Sequence, residues 1–586
     1  MKKIFNAIII AFTLCSLSAC DAFLTKDTIA SINSDTFFTD ETSLKLYANG
    51  FIQNMMPAAA DIAESNDSYT DVCATRNGLS LFTTTWTSSS QSGWSYSNWT
   101  NLYRINYFIA HIGDTKGVSE GKMRHYEGIA RFWRAFFYFY KMRTFGDVPW
   151  YDEPIDQNDT LALYKARDSR ELVARKILED LDYAAENCEV NVNTQQADKW
   201  KALALKARFC LYEGTYRKYH HVNPSTGQAW TADESAFYLQ ECVKACEEII
   251  GSGPFKLNES VSKTNYRALF TSESVNRSEV IWEREYSADL NFGHEVSWNY
   301  WNQNSQRWSM TRIMADMYLR LDGSRYTESK NYGKDLFPVE VADRDYRMAQ
   351  TIITPGYTRE VNGIVGSYAP NAYGTLTGYQ IIKYSYDDDR HMNGNNATCI
   401  PVIRLAEVLL AYAEASCELD PAQKLSDAIW DKTIRPLRVR AGVVGTKPAT
   451  IDPLLSTYYG LSSSDLIEIR RERAVELFME DSRWNDLMRW HLGNYCIKPW
   501  EGIYVPGQGV LMDLDDNGTP DTCFGSGKQD GITYFDPTQG AYGISGNSRL
   551  LYHVDRNWDD KMYLRPIPRT ANAINPALGQ NYGWSD

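Results

Sequence analysis

The sequence predicts a mainly α protein: helical pairs stacked into a scaffold, with a loop-rich face and few short strands. Three observations predict it. Apolar residues recur at helical spacing from Glu41 to Ile250, in segments separated by short links. Residues 254–400 lose that periodicity and become rich in Gly, Asn, Ser and aromatic residues. Helical periodicity then returns in two long segments after residue 400. Successive helices joined by short links favour antiparallel neighbours in a solenoid-like stack. A strict 34-residue tetratricopeptide period is not visible, so the spacing establishes pairing and leaves the repeat type open.

The chain opens with Met1-Lys2-Lys3 and the apolar run "IFNAIIIAFTLCSLSA". That run has signal-peptide length and is too short and too weakly flanked for a transmembrane helix. It ends in Leu17-Ser18-Ala19-Cys20, which resembles a bacterial lipobox and not an A-x-A site. Residues 1–19 are therefore expected to be a lipoprotein signal and 20–40 a tether lipidated at Cys20. Acyl chains add about 0.8 kcal/mol per buried methylene, so such an anchor needs no further membrane segment. The alternative is an ordinary exported chain with an adventitious cysteine.

The helical part, residues 41–253, contains "EGIARFWRAFFYFYKMRTFGDVPW". Ile129, Phe132, Trp133, Phe136, Phe137 and Tyr140 form a belt wide enough for packing on two sides, and Gly146 and Pro149 supply a stop. Three more amphipathic segments follow, the last closed by Gly251 and Gly253. Cys242 and Cys246 lie on one face of that segment and are expected to be two small buried apolar residues, not a metal pair. His220 and His221 lack partners at metal-ligand spacing and are assigned to a loop. Residues 254–400 read as long loops with short strands. In the third part, 401–586, "PVIRLAEVLLAYAEASCELD" carries the stripe Val402, Leu405, Leu409, Ala413. The longest helix is predicted over "SDLIEIRRERAVELFMEDSRWNDLMRWHLG", opened by a capping box of Asp465 and Glu468. From residue 492 onward the chain is again irregular.

Composition narrows the function. The net charge of −14 becomes −16 without the leader, which makes nucleic acid a poor partner. Past Cys20 nine cysteines remain, an odd number without regular spacing, so no disulfide framework is predicted. No nucleophile elbow, zinc motif or phosphate loop occurs. Arg470, Arg471 and Arg473 alternate with Glu472, Glu476 and Glu480 at spacings that allow ion pairs across helical turns. Acids held by arginines stay ionised and suit no general acid, so an enzyme is not expected.

Four segments in order resemble the SusD/RagB family of outer-membrane nutrient-binding lipoproteins: "CDAFLTKD" after the lipobox, "FGDVPW", "IRLAEVLLAYAEA" and "RRERAVELFMEDSRWNDLMRW". The closing "YLRPIPRTANAINPALGQNYGW" is similar as well, so the resemblance runs from Cys20 to Trp584. It implies a tetratricopeptide-like scaffold carrying a ligand face and set against a SusC-like TonB-dependent transporter. It also implies anchoring in a Gram-negative outer membrane, facing outward, with oligosaccharide as ligand and no required cofactor. A scaffold that assembles surface proteins, or a receptor for peptide, are the alternatives.

A sugar offers apolar C–H faces and many hydroxyls, and a site for it needs flat rings beside amides and charged groups. Two stretches have that chemistry. "SSSQSGWSYSNW" offers Trp94, Tyr96 and Asn98, and "SWNYWNQNSQRW" offers Trp298, Tyr300 and Trp301, while Trp99 and Trp308 are assigned to the core. Separately, Asp513, Asp515, Asn517, Gly518 and Asp521 fall at positions one, three, five, six and nine of a calcium loop. Position twelve is Phe524 where a bidentate Glu is expected, so calcium site and plain acidic turn both remain open.

Overall fold

The computed structural model describes residues 37–392 and 395–585. Cys20 and its leader lie outside them. The main helices are α1 (Glu41–Met55), α2 (Thr100–His111), α3 (Glu120–Phe145), α4 (Arg170–Asn187), α5 (Lys199–Tyr219), α6 (Ser235–Ser252), α7 (Leu405–Leu419), α8 (Ser464–Glu476) and α9 (Arg483–Arg489). Capping sets their starts. Asp40, Ser119, Ser169 and Asp198 each accept a backbone N–H from the first turn of the helix that follows. Gly146, at φ +73°, ends α3 in a conformation that a side chain resists.

The helices pair antiparallel, and the side chains show it. Lys199 reaches Glu248 and Lys206 reaches Glu241, while the Ser235 hydroxyl donates to the Gly214 carbonyl, so α5 runs against α6. Arg170 grips Glu213 at 2.7 Å and Lys206 meets Asp182, which sets α4 against α5. Arg134 joins α3 to Asp180 of α4, also at 2.7 Å. The Tyr412 hydroxyl donates to Glu247, extending the stack to α7. The architecture is mainly α, a tetratricopeptide-like solenoid with few short strands. Cys242 and Cys246 are buried in α6, and all nine cysteines among the described residues are free and buried. His220 follows the end of α5 as predicted for a loop, but it is buried there, stacked on Tyr216, with Nε2 on the Met488 carbonyl.

Three predicted elements differ. Val402 belongs to a strand, Ile400–Arg404, paired antiparallel with Val280–Arg284, and the helix begins only at Leu405. The long C-terminal helix is two short ones, α8 and α9, and among the described residues the longest helix is α3 with 26 residues. Met479 and Asp481 take φ of +59° and +56° in the break, which turns Glu480 toward Lys383 and Arg404. The cap of α8 is Ser463, while Asp465 pairs with Lys447 and Glu468 with Arg438.

The arginine ladder of α8 is tertiary rather than intrahelical. Glu476, fully buried, meets Arg347 at 2.7 Å and Arg404 at 2.8 Å, with Arg440 completing the cluster. Arg473 binds Asp486, Arg471 binds Asp452, and Arg470 lies over Trp490. Within the helix only Arg471 and Glu468 pair. Burial alone pushes the Glu476 carboxyl up, but Arg440, Arg404 and Arg347 overturn that and hold it well below the usual carboxylate range. These ion pairs fix strand 400–404 and the start of the short helix Tyr346–Thr351 against the C-terminal helices.

The region 254–400 contains more helix than its composition suggests, including the short turns Val296–Trp301 and Arg312–Met317. Its strand Ser309–Met310 pairs antiparallel with Cys73–Ala74, in the register Cys73 to Met310. That pairing brings the 303–308 loop beside residues 75–77, and the face described next is built on it.

Candidate functional site

The two predicted aromatic stretches occupy separate neighbourhoods. In the first, Tyr96 is 87% exposed at the tip of a short turn. Trp94 is half-buried, edge-on to Phe145 at 4.9 Å and to Trp99 at 5.3 Å. Asn98 uses its Oδ1 to cap that turn, accepting from the Ser95 N–H at 2.9 Å. In the second, Tyr300 is a core residue and its assignment to a ligand face is corrected. It is 5% exposed, donates to the Ala63 carbonyl at 2.6 Å, and packs on Trp308. The helical turn 296–301 directs Tyr300 inward and leaves Trp298 and Trp301 half-exposed on other sides. Trp301 carries the Arg359 guanidinium 3.8 Å above its ring, with Tyr368 edge-on at 5.4 Å. Trp308 is core as predicted, and Trp99 is half-buried over Phe137 and Tyr151.

A richer cluster lies just beyond, around the 73–77/303–310 pairing. Arg76 and Asn77 are exposed at the end of the first strand. The Gln306 side-chain oxygen accepts from the Thr75 hydroxyl, and Arg76 donates to the Asn304 carbonyl at 3.1 Å. Arg307, held at φ +52°, donates from Nε to the Gln303 carbonyl and from Nη1 to the Tyr542 hydroxyl at 3.4 Å. Tyr542 is half-exposed and packs edge-on to Phe535 at 4.6 Å and Tyr552 at 5.0 Å, while exposed Tyr373 also packs edge-on to Phe535, at 5.5 Å. Rings, two guanidiniums and amides thus converge on one open surface. Sequence reasoning found the 298–308 stretch by composition but missed Arg76, Tyr373 and Tyr542, since nothing local marks residues brought together across more than 400 positions. A non-glycine residue at positive φ on an exposed loop, as Arg307 is, costs backbone strain that is retained preferentially at functional positions.

The acidic loop folds as a compact turn. Asp513, Asp515 and Asp521 place carboxylate oxygens within 4.8 Å of one another, an arrangement that could coordinate a metal ion. Asp513 accepts the Asn517 and Gly518 N–H groups, Gly518 standing at φ +87°. Asn517 itself turns its amide oxygen to the Thr519 N–H. Phe524 is buried in a strand and is no ligand. Burial pushes the Asp521 carboxyl up, and the Asp515 charge adds to it.

A cavity of about 910 Å³ runs between α3, α5 and the 480–488 segment, lined by Phe136, Tyr140, Arg143, Arg208, Asp481 and Trp484 among others. Burial pushes Asp481 up to about 6. Among the described residues no helix is long and apolar enough to cross a membrane.

A helical-repeat scaffold that gathers aromatic rings, arginines and amides on one loop-built face defines a binding protein. Residues 278–584 match the SusD family model, and the chain belongs to that family. The family is one of binding proteins without enzymatic activity. The chain is 25% identical over 571 residues to a SusD-like protein of Bacteroides ovatus, covering 90% of each. To SusD-like protein P25 of Formosa agariphila it is 24% identical, over 83% of this chain and 90% of the relative. A SusD-like carbohydrate binding protein of solved structure, from Bacteroides fragilis, superposes with a TM-score of 0.66 at 19% identity, over 93% of this chain and all of that one. At that identity the likeness establishes the fold.

Proposed function

We propose that the protein is a non-enzymatic glycan receptor that hands oligosaccharide to a SusC-like TonB-dependent transporter. It would be held at the outward face of a Gram-negative outer membrane by acylation of Cys20. The observation that carries the glycan reading is the convergence of Tyr542 and Tyr373 with Arg76, Arg307, Asn77 and Gln303. Flat rings supply surface for C–H faces, and guanidinium and amide groups supply directional donors and acceptors for hydroxyls. Trp298 and Trp301 extend the reading to the 296–301 turn, and exposed Tyr96 is carried as a separate candidate in its own neighbourhood. The acidic loop is read as a calcium site, since all-oxygen donor sets suit hard cations.

A glycan array followed by calorimetry on the best-scoring sugar tests this. Arg307→Ala and Tyr542→Ala are each expected to weaken binding about tenfold or more, the order of one well-placed contact. Absence of any glycan on the array, or full affinity in both variants, refutes it.

A further inference from the structure

We propose that a divalent cation of the calcium class bound between Asp513, Asp515 and Asp521 holds the 358–367 hairpin, and with it the Arg359–Trp301 stack, through the Asp515–Ser367 hydrogen bond. The inference deepens the calcium and ligand-face readings above and rests on them for the role of Trp301.

The site shows unmet demand for a cation. Asp515 is 8% exposed, and its Oδ1 is buried without a hydrogen-bond donor, as is Oδ1 of Asp521. No lysine or arginine forms a salt bridge with any of the three acids among the described residues. Three carboxylates within 4.8 Å repel one another unless a positive charge sits between them. The set is all oxygen, which suits calcium better than a soft transition metal. Because Phe524 replaces the bidentate acid, affinity should fall in the extracellular range of about 0.1–1 mM.

The connection to the ligand face is direct. Oδ2 of Asp515 accepts the Ser367 hydroxyl at 2.7 Å. Ser367 ends the hairpin Thr358–Val361/Ile364–Ser367, where it pairs with Thr358. One residue along, Arg359 lies 3.8 Å above Trp301, and Tyr368, next to Ser367, meets the edge of the same ring. The second strand of the hairpin is exposed, Ile364 at 74% and Val365 at 66%, so few packing contacts fix it. Other anchors are the Glu360 N–H on the Asp387 carbonyl and, at the tip, the Asn362 N–H on Asp389. A cation that neutralises the acid triad frees Asp515 to hold Ser367 in one place. Without it, charge repulsion works against that geometry.

The test uses the full mature chain and calcium chloride, with no glycan present. Calorimetry should show one calcium site of sub-millimolar to millimolar affinity, lost in Asp521→Asn. Amide exchange over 358–368 should slow about threefold or more on calcium addition, since local opening tracks the stability of the unit. Ser367→Ala should still bind calcium yet show no slowing. If calcium gives no binding heat up to 10 mM, the site is refuted. If it binds but exchange over the hairpin is unchanged in the wild type, or slows equally in Ser367→Ala, the coupling is refuted. Neither result bears on the glycan array, which tests the receptor reading by itself.

Discussion

Replacing Tyr96, Trp298 and Trp301 singly by alanine separates ligand contact from packing, because the structure assigns their neighbours opposite roles. Trp308, at 7% exposure with its ring on Tyr300, is the core control. Its truncation should cost about 3–5 kcal/mol through lost burial and the cavity left behind. Tyr96, at 87% exposure, buries almost nothing, so Tyr96→Ala should leave stability within about 0.5 kcal/mol of the wild type. Trp301 is intermediate. Its removal forfeits the Arg359 stack, worth about 0.5–2 kcal/mol depending on desolvation. Loss of a ring that carries a sugar face should cost about 1.4–2.8 kcal/mol of binding, or about tenfold to a hundredfold in affinity. The assay pairs thermal unfolding of each variant with calorimetric binding of the sugar selected on the array. The expected result is at least one variant with lost binding and near-normal melting, beside an early-melting Trp308→Ala. If all three platform variants bind normally, or all three melt as early as Trp308→Ala, the placement of the platform on these loops is wrong.

Three other outcomes are expected. Glu476→Gln leaves Arg347, Arg404 and Arg440 short of their shared counter-charge and should destabilise by about 3–5 kcal/mol in urea unfolding; an unchanged midpoint would show the cluster to be neutral. Stability should change little from pH 7 to about 4.5 and then fall steeply, measured as the denaturant midpoint against pH. In the upper window two tendencies oppose. His294, pushed down to about 4 by burial, and His220, depressed by the same cause, take their protons late and destabilise as pH falls below 6.5. Glu283 and Asp67, each pushed up to about 7 by burial, and Asp481, pushed up to about 6, take protons early and stabilise. Below 4.5 the depressed carboxyls of Glu476, Glu468, Glu414 and Asp486 dominate, because the unfolded chain binds the protons first; a midpoint flat down to pH 3 would contradict this. Cys20→Ala should abolish labelling by radioactive fatty acid and leave the protein unattached or uncleaved, and normal membrane attachment of that variant would overturn the lipoprotein assignment.

Local physics was legible in the sequence wherever one element decides its own state. The belt of α3 from Ile129 to Phe137, its stop at Gly146, and the burial of Cys242 and Cys246 depend on periodicity and small size, which a single segment displays. Tyr140, the predicted last member of that belt, is exposed instead. Where distant partners decide, the same signals misled. Val402 continues the apolar stripe of α7, yet pairing with the strand at Val280–Arg284 takes it out of the helix. No glycine or proline marks the break after α8. It forms because Glu480 gains Lys383 and Arg404, and Met479 and Asp481 accept left-handed backbone as the cost. The arginines of α8 have helical spacing to its glutamates, but their charges are satisfied by Asp452, Asp486 and an aromatic ring. Glu476 in turn is held by arginines more than 30 residues away.

The candidate site divides along the same line. Composition located the 298–308 stretch because rings and amides crowd one segment, but composition cannot tell which ring faces inward. A six-residue helical turn decides that, sending Tyr300 to the Ala63 carbonyl and leaving Trp301 under Arg359. The larger part of the face was invisible for a stronger reason. Arg76, Arg307, Tyr373 and Tyr542 come from four chain segments, and each alone is an ordinary surface residue. They become a surface through the Cys73–Met310 strand register, the Arg307–Tyr542 contact and the packing of Tyr373 and Tyr542 on Phe535. If the proposed receptor reading holds, such a protein can change its loops, and hence its ligand, while α8 and its arginine partners keep the scaffold fixed. On the proposed reading, the charged cluster at Glu476 and the open face at Arg307 answer to separate demands, stability in one case and recognition in the other. Mutations in the first should be read by unfolding and mutations in the second by binding.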